Sequence, residues 1–462
     1  MQIIVYAVSL WLGLYLLARD PSNPRLRNSG LGLISYALAL AFDLAASYAP
    51  NPTSVILLNR LHWGILFFPP IFWTGAVIHL HPEIAPNRTK LQKIWRWGIF
   101  PLGCVAFLLV IITNTFWSPE TGHFLPWGYG LFALTNLFPL IATVCLIRFV
   151  RKELQPRQAT GALIAATLFF TLGAGLITLQ LGWLPHLWIV IAIGLDLELL
   201  GLAIVWFDAY NEGEALLPDF LRSLVISTLA ALIFAGQVAV VIALQTGMTL
   251  PMVLLLLTSI AAALAVTTFS TFVQGGIDRF VFKRNPRVRE SRSDLRAAAI
   301  AAPRVDQTLK LDELSEDEFA RLTRRALSHF SDLPRLAASP LTRLPIISAR
   351  LRSRSAQDNT LERAAELKTV LTESISRLKP QVQETFGTTD EWRFYNALYF
   401  PYIAGLRPYS RRGFQENLDE NLSDALRWFQ ATVPERTLYN WQNAASKLVA
   451  QDLRERSIPE KN

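Results

Sequence analysis

Four ionisable side chains lie in stretches of sequence almost wholly apolar around them. Asp196 and Glu198 sit in GLDLELLGLAIVWFDAY (194–210), Asp43 in LISYALALAFDLAAS (33–47), and Arg60 just inside a run that continues to residue 79. A charge at bilayer depth costs about 2.5–3.5 kcal/mol and faces the protein interior, a partner or trapped water. Such groups can bind a small polar ligand, titrate, or hold neighbouring spans together. Asp196 and Glu198 are two residues apart, about 200° of helical rotation, so they cannot point into one pocket. Asp43 and Arg60 lie near the same end of consecutive antiparallel segments, which predicts an Asp43–Arg60 ion pair. His62 falls at the opposite end of its segment from His79 and His81, so these three histidines predict no metal site.

A second constellation closes the chain. In VPERTLYNWQNAASKLVAQDL (433–453), Arg436, Asn440, Asn443 and Lys447 recur at helical spacing along one side, and Leu438, Trp441, Ala445 and Leu448 along another. A helix over 419–430 precedes it, with a break at Ala431–Thr432. Thr432 and Glu435 have the spacing of a capping box, and Pro434 suits a first helical turn. Two helices, a tight turn and a polar stripe on the second are the parts of a helix-turn-helix, in which those four residues would face DNA phosphates or base edges. A helical hairpin with a solvated face gives the same pattern.

The elements that must position these residues divide unevenly. The 462 residues are 52% hydrophobic and 17% charged, against about a quarter charged in an ordinary soluble domain. The deficit falls on the first 275 or so residues. They read as about nine membrane spans near 2–18, 31–49, 57–79, 97–117, 128–148, 159–181, 186–207, 223–246 and 250–274, each close to the roughly 20 residues a span needs. Lys and Arg concentrate in alternate links: Arg19, Arg25 and Arg27; Arg88, Lys90, Lys93 and Arg96; Arg148, Arg151, Lys152 and Arg157; and the run DRFVFKRNPRVRESR after the ninth span. The positive-inside rule then places the N-terminus outside and the C-terminal region in the cytoplasm. The link after the seventh span, DAYNEGEALLPDFLRS, is acidic and departs from that pattern. Trp95 and Trp97 mark an interface, and Pro69–Pro70 must break the third span. The N-terminus reads as a retained span, not a cleaved signal. Cys104 and Cys145 imply no disulfide framework.

The remaining residues read as helical and mildly basic. Lys283–Arg292 is placed to meet anionic lipid headgroups. Ser315 and Glu318 form a capping box ahead of Phe319, Leu322, Ala326 and Phe330. Asn359 and Glu362 open a helix with the stripe Leu361, Ala364, Leu367, Leu371, Ile375 and Leu378, stopped by Pro380. Prolines break 333–358 into loop or short helix. The expected fold is all-α: a polytopic bundle followed by a helical cytoplasmic domain. Its expected divisions are 1–210, 211–280, 281–385 and 386–462.

The span count, N-out polarity, short links and the run from IGLDLELLGLAIVWFDA into LLPDFLRSL resemble the seven-helix sensory region at the N-termini of many bacterial histidine kinases, over roughly residues 5–210. GGIDRFVFKRNP resembles the join to signalling output in such proteins. The resemblance implies a receptor-like protein of a bacterial inner membrane. The kinase is missing: His329, in SHFSDLPRL, departs from a phosphoacceptor box, and the glycines after residue 276 are isolated. The C-terminal segment is weakly similar to helix-turn-helix ends of bacterial regulators. No nucleophile–base pair, metal-ligand spacing or phosphate loop points to an enzyme or a cofactor. The expected function is a sensor of a small ligand or membrane state, with membrane lipids, that ligand, and DNA or a cytoplasmic signalling protein as partners, and a homodimer through 360–380 as one form of output. A transporter or a structural membrane protein with a protein-docking domain is the alternative; a single Gly/Pro break and nine spans do not supply the inverted repeats common in transporters.

Overall fold

A computed structural model describes residues 1–81, 88–118, 124–150, 161, 163–168, 186–283, 292, 295–296, 299, 301, 304, 309–380, 386–409 and 419–457. Among them the chain is helical, with one isolated antiparallel bridge between Trp117 and Phe124. Eight helices, or helices joined across a break, are long and apolar enough to cross a membrane. They are α1 (Gln2–Arg19), α2 (Pro24–Ser47), the pair α3 (Pro52–Leu66) and α4 (Phe68–Leu80), the pair α5 (Arg88–Ile94) and α6 (Phe100–Ile112), α7 (Pro126–Val150), α8 (His186–Glu212), α9 (Leu216–Val241) and α10 (Leu250–Thr268). A short helix, α11 (Ser270–Val281), follows. The expected sixth span, 159–181, falls mostly outside the described residues.

Two compact units form. The first holds residues 1–208 and 220–277, the second 209–219 and 278–462. In the first unit α2 is central, packed on α1, α3 and α4. The α1–α2 approach depends on Gly13 and Gly30, where a Cβ on either residue would strike the other's carbonyl oxygen. Small residues at such crossings let helix backbones meet where apolar burial alone gives no drive to associate. α9 is the opposite case, with Leu217, Leu229, Leu232, Ile233 and Phe234 all exposed. An apolar surface of that extent belongs against lipid or another protein.

The Pro69–Pro70 pair breaks the third span at Phe67, between α3 and α4. Prolines at 69 and 70 leave the Ile65 and Leu66 carbonyls without their helical donors. Phe67 N–H turns back to the Gly64 and Ile65 carbonyls, and just beyond the break Thr74 Oγ1 donates to Pro70 O at 2.7 Å and Trp95 Nε1 to Ile71 O at 2.9 Å. Trp95 lies in a π-helical turn between α5 and α6 and packs over Gly75, whereas Trp97 faces outward.

The second unit contains α12 (Glu316–Ser328), α13 (Leu333–Ala338), α14 (Pro345–Ser353), α15 (Thr360–Ser376), α16 (Arg393–Leu398), α17 (Glu420–Thr432) and α18 (Glu435–Ser457). Ser315 and Glu318 form the expected capping box, and Asn359 caps α15 through Glu362 N–H. Pro334, Pro340 and Pro345 each start a short helical segment in 333–353. Thr432, by contrast, is the last residue of α17, and α18 starts at Glu435 after Val433–Pro434. The Thr432–Glu435 capping box is therefore not formed, because α17 runs two residues past the expected break.

One core joins residues on both sides of position 385: Phe319, Leu327, Leu341, Leu367, Leu371, Trp392, Leu398, Val449 and Leu453. The α15 stripe expected to pair with a partner is spent here, since Ala364, Leu367, Leu371 and Ile375 are fully buried inside this unit. Around the core Arg350 makes a bidentate pair with Glu373, both contacts 2.6 Å. Arg456 reaches the same carboxylate at 2.8 Å. These two arginines hold the Glu373 carboxyl below its ordinary range, the Arg350 hydrogen bonds foremost.

Candidate functional site

The polar residues of the first unit converge on Tyr36. Its hydroxyl, fully buried on α2, donates to Val190 O on α8 at 2.6 Å. Nearby, Gly194 lets α8 approach α1: a Cβ there would strike Val5 and would lie in ordinary contact with the Tyr36 ring. Asp43, Asp196 and Glu198 all lie within electrostatic reach of this tyrosine. Asp43 Oδ2 accepts from Gln2 Nε2 at 2.6 Å, and Glu198 Oε1 accepts from Ser9 Oγ at 3.1 Å. Both donors are on α1, so α1 supplies hydrogen bonds to carboxyl groups that α2 and α8 bring in. Three of the four expected buried polar residues thus lie in the region of Tyr36, and two of them, Asp43 and Glu198, are held by hydrogen bonds from α1.

Arg60 is the exception. The expected Asp43–Arg60 pair does not form. Arg60 instead donates to Ile111 O at 3.2 Å and to Asn114 Oδ1, and its guanidinium lies 5.7 Å from the Trp117 ring centre. The reason is register. Asp43 is four residues from the end of α2 and Arg60 eight from the start of α3, a depth difference of about 6 Å at 1.5 Å per residue. At its own depth Arg60 meets the C-terminal end of α6, where unsatisfied carbonyls and the helix dipole favour a cation.

Beside Tyr36 lies an enclosed cavity of about 40 Å³. Tyr36, His62, Trp63, Pro69, Phe132 and Asn136 are among its walls. The proline break opens it, and aromatic rings close it: Trp63 stacks on Phe124 at 4.7 Å and meets Tyr129 edge-on at 5.0 Å. His62 Nδ1 is 2.9 Å from Ala39 O. Asn136 Nδ2 donates to Phe132 O at 2.7 Å, but Asn136 Oδ1 is buried with no hydrogen-bond partner among the described residues. A buried amide oxygen left unpaired costs about 1–3 kcal/mol, and the space is enough for a few water-sized groups. The sequence does carry a signal for this cavity, in Asn136 within GLFALTNLFPL and the prolines at 69–70, but no spacing connects the two.

The sequence reading also missed a deeply buried ion pair of the first unit. Arg19 Nε lies 3.6 Å from Asp208 Oδ2, both side chains almost fully buried, and Asn23 Nδ2 donates to Asp208 Oδ1 at 2.8 Å. The pair joins the end of α1 to α8.

One turn later the same helix enters the second unit. Glu212 meets Arg325 at 2.6 Å and His329 at 2.7 Å. Arg321 donates to Tyr210 O at 2.6 Å and sits 4.5 Å above the Tyr210 ring. Gly213 takes a left-handed φ of 72° and turns the chain beside Leu322 and Pro340. Ala215 N–H then donates to Arg304 O at 2.8 Å, and Asp219 faces Arg304 at 3.5 Å. Burial alone would push the Glu212 carboxyl up; the His329 hydrogen bond and the Arg325 charge outweigh it and hold the carboxyl below its ordinary range. His329, set aside as a phosphoacceptor, is thus a partner of the acidic link.

At the C-terminal end, Arg436 and Asn440 are exposed on the first turns of α18, and Asn443 is half-buried. Lys447 is exposed and pairs with Asp317 at 3.0 Å. The other face of α18 is locked in the core through Ala445, Val449 and Leu453, and Trp441 stacks on Trp428 of α17 at 6.1 Å. Of the two cationic stripe residues, Lys447 is therefore engaged, and Arg436 has no ion pair among the described residues. Among the described residues no group of three or more His, Cys, Asp and Glu side chains is placed to hold a metal ion. No family model, curated protein or solved structure matches the chain.

Proposed function

We propose that the protein is an integral membrane receptor that senses a small ligand or a membrane state within its bundle and passes it to a helical cytoplasmic domain. The observation that carries this reading is α8. Its middle contributes Val190, Asp196 and Glu198 to the polar region around Tyr36. Its last turn, Tyr210 and Glu212, is bound by Arg321, Arg325 and His329 of the second unit. A helix that carries candidate ligand contacts in one unit and ends in the other is an element whose arrangements both sites can bias.

The same link supports an orientation with the N-terminus outside and the C-terminus in the cytoplasm of a bacterial inner-membrane protein. Its acidic residues departed from the positive-inside pattern. Their partners Arg304 and Arg325 supply the positive charge from elsewhere in the chain. The output we propose is DNA or partner-protein binding through the exposed start of α18, with Arg436 and Asn440 foremost.

The test is hydrogen exchange on the full-length protein in lipid nanodiscs. Tyr36→Phe removes the hydroxyl that ties α2 to α8, far along the helix from the second unit. Exchange in 316–330 should rise or fall relative to wild type. Unchanged exchange there, with changed exchange in 186–200, sinks the reading.

A further inference from the structure

α1, α9 and α10 enclose a groove of about 430 Å³ that none of the polar chemistry above uses. Its walls include Ala7, Ala231, Ala235, Gly236, Leu256 and Ile260. The small residues of α9 make the space: a Cβ on Gly236 would meet nothing within 4 Å. One end is closed. Trp11 donates through Nε1 to Ser223 Oγ at 3.3 Å and meets Phe220 edge-on at 5.0 Å, and Ser227 bonds Thr267 at 3.1 Å. Tyr6 OH donates to Leu257 O at 3.0 Å and pins α1 to α10 along the floor. The groove is thus held open by fixed contacts.

Its size and chemistry select the occupant. Water needs two to four polar partners in a cavity, and this lining is apolar apart from Thr228 and the indole of Trp11. A helix from a second copy is too thick. The wall from Leu224 to Ala239 is about 22 Å long, and a helix of that length and 10–12 Å diameter fills on the order of 2,000 Å³. A flexible hydrocarbon chain is thin enough, and bilayer surrounds these helices at every depth of the groove. We propose that the groove is a binding site for one phospholipid acyl chain, entering from the end away from Trp11 and wedged between α9 and the rest of the bundle. The inference needs only that these helices span a membrane and does not rest on the receptor reading.

The probe is a phosphatidylglycerol with a photoactivatable diazirine midway along one acyl chain, built into nanodiscs with the full-length protein. After illumination and digestion, adducts should accumulate on Ala7, Ala231, Ala235 and Ile260 several-fold over the outward-facing Leu137 and Leu195. Gly236→Leu fills the groove and favours the helix; it should remove the excess at the groove and leave Leu137 and Leu195 labelled as before. Ala235→Leu should do the same and guards against a fault peculiar to position 236. Labelling no higher in the groove than at Leu137, or unaltered by both variants, overturns the proposal. Efficient disulfide formation between copies of Ala235→Cys in native membranes also overturns it, by seating a second copy there.

Discussion

Asp208 and Glu212 stand one turn apart on α8, and each is clamped by arginine, Asp208 by Arg19 within the first unit and Glu212 by Arg325 within the second. The i,i+4 spacing puts both carboxylates on one face of the helix. Neither is a surface pair of the kind that contributes little. Asp208 and Arg19 are nearly inaccessible, and Glu212 is mostly buried. The end of α8 is therefore held where one compact unit gives way to the other.

Removing one partner of a buried pair leaves an uncompensated charge, at a cost of about 3–5 kcal/mol. Asp208→Ala should therefore lower the thermal midpoint and folded yield in detergent substantially. The double variant Arg19→Met/Asp208→Leu should recover most of that loss, because replacing both charges by apolar side chains is often neutral or stabilising. A double variant as unstable as the single one would show that Asn23 and the local packing, not the charge pair, hold this end of α1.

The Glu212 clamp predicts a pH dependence of definite sign. Its carboxyl lies below its ordinary value in the folded protein. The stabilisation is thus fully present above the unfolded value, about 4.3 for glutamate, and is lost as pH falls through the folded one. Protection of Tyr210–Gly213 amides should be steady from neutrality to about pH 5 and fall below it in wild type. In Glu212→Gln that acid-dependent step should vanish, with lower protection at neutral pH. A step of equal size in the variant assigns the titration to another group.

Much of this architecture was legible in the chain. Eight expected spans correspond to long apolar helices, the 69–70 prolines break the third span, and Ser315 and Asn359 cap the helices they were expected to cap. Those features are local, set by hydropathy, backbone chemistry and neighbours three or four residues away. The polar partnerships were not legible. Depth along a helix can be counted only once its ends are known, and the four-residue offset that parts Asp43 from Arg60 follows from where α2 stops and α3 starts. Glu212 and its partners are more than a hundred residues apart, and nothing in DAYNEGEALLPDF marks it as part of the second unit.

The replacement of the Asp43–Arg60 pair is itself measurable. In a double-mutant cycle, Arg60→Met and Asn114→Ala should couple, because they share a hydrogen bond; residues in contact show about 0.5 kcal/mol or more. Arg60→Met with Asp43→Asn should be additive. Coupling to Asp43 instead of Asn114 would restore the pairing expected from the sequence.

The α18 stripe makes an unequal prediction. If its residues meet nucleic-acid phosphates, each Lys or Arg contact adds about one to the slope of log affinity against log salt. Arg436→Ala should lower the slope for full-length protein on duplex DNA by about one. Lys447→Ala should lower it less, because Lys447 already has Asp317. Retention on DNA that is absent, or indifferent to salt, leaves a partner protein as the output.

On the proposed receptor reading, Asn136 separates what the bundle needs to fold from what it needs to respond. Among the described residues its Oδ1 has no hydrogen-bond partner, Asn136 lines the cavity beside Tyr36, and its Nδ2 donates to Phe132 O of its own helix. A leucine of similar size removes a buried unpaired acceptor worth about 1–3 kcal/mol and fills apolar space. Asn136→Leu should therefore raise the thermal midpoint in detergent. A residue kept against stability is expected where function needs it, so the same variant should abolish the exchange response of 316–330 to Tyr36→Phe. A lowered midpoint would mean that Oδ1 is held by a structural water whose loss outweighs the gain, and the cavity would then belong to the fold and not to sensing.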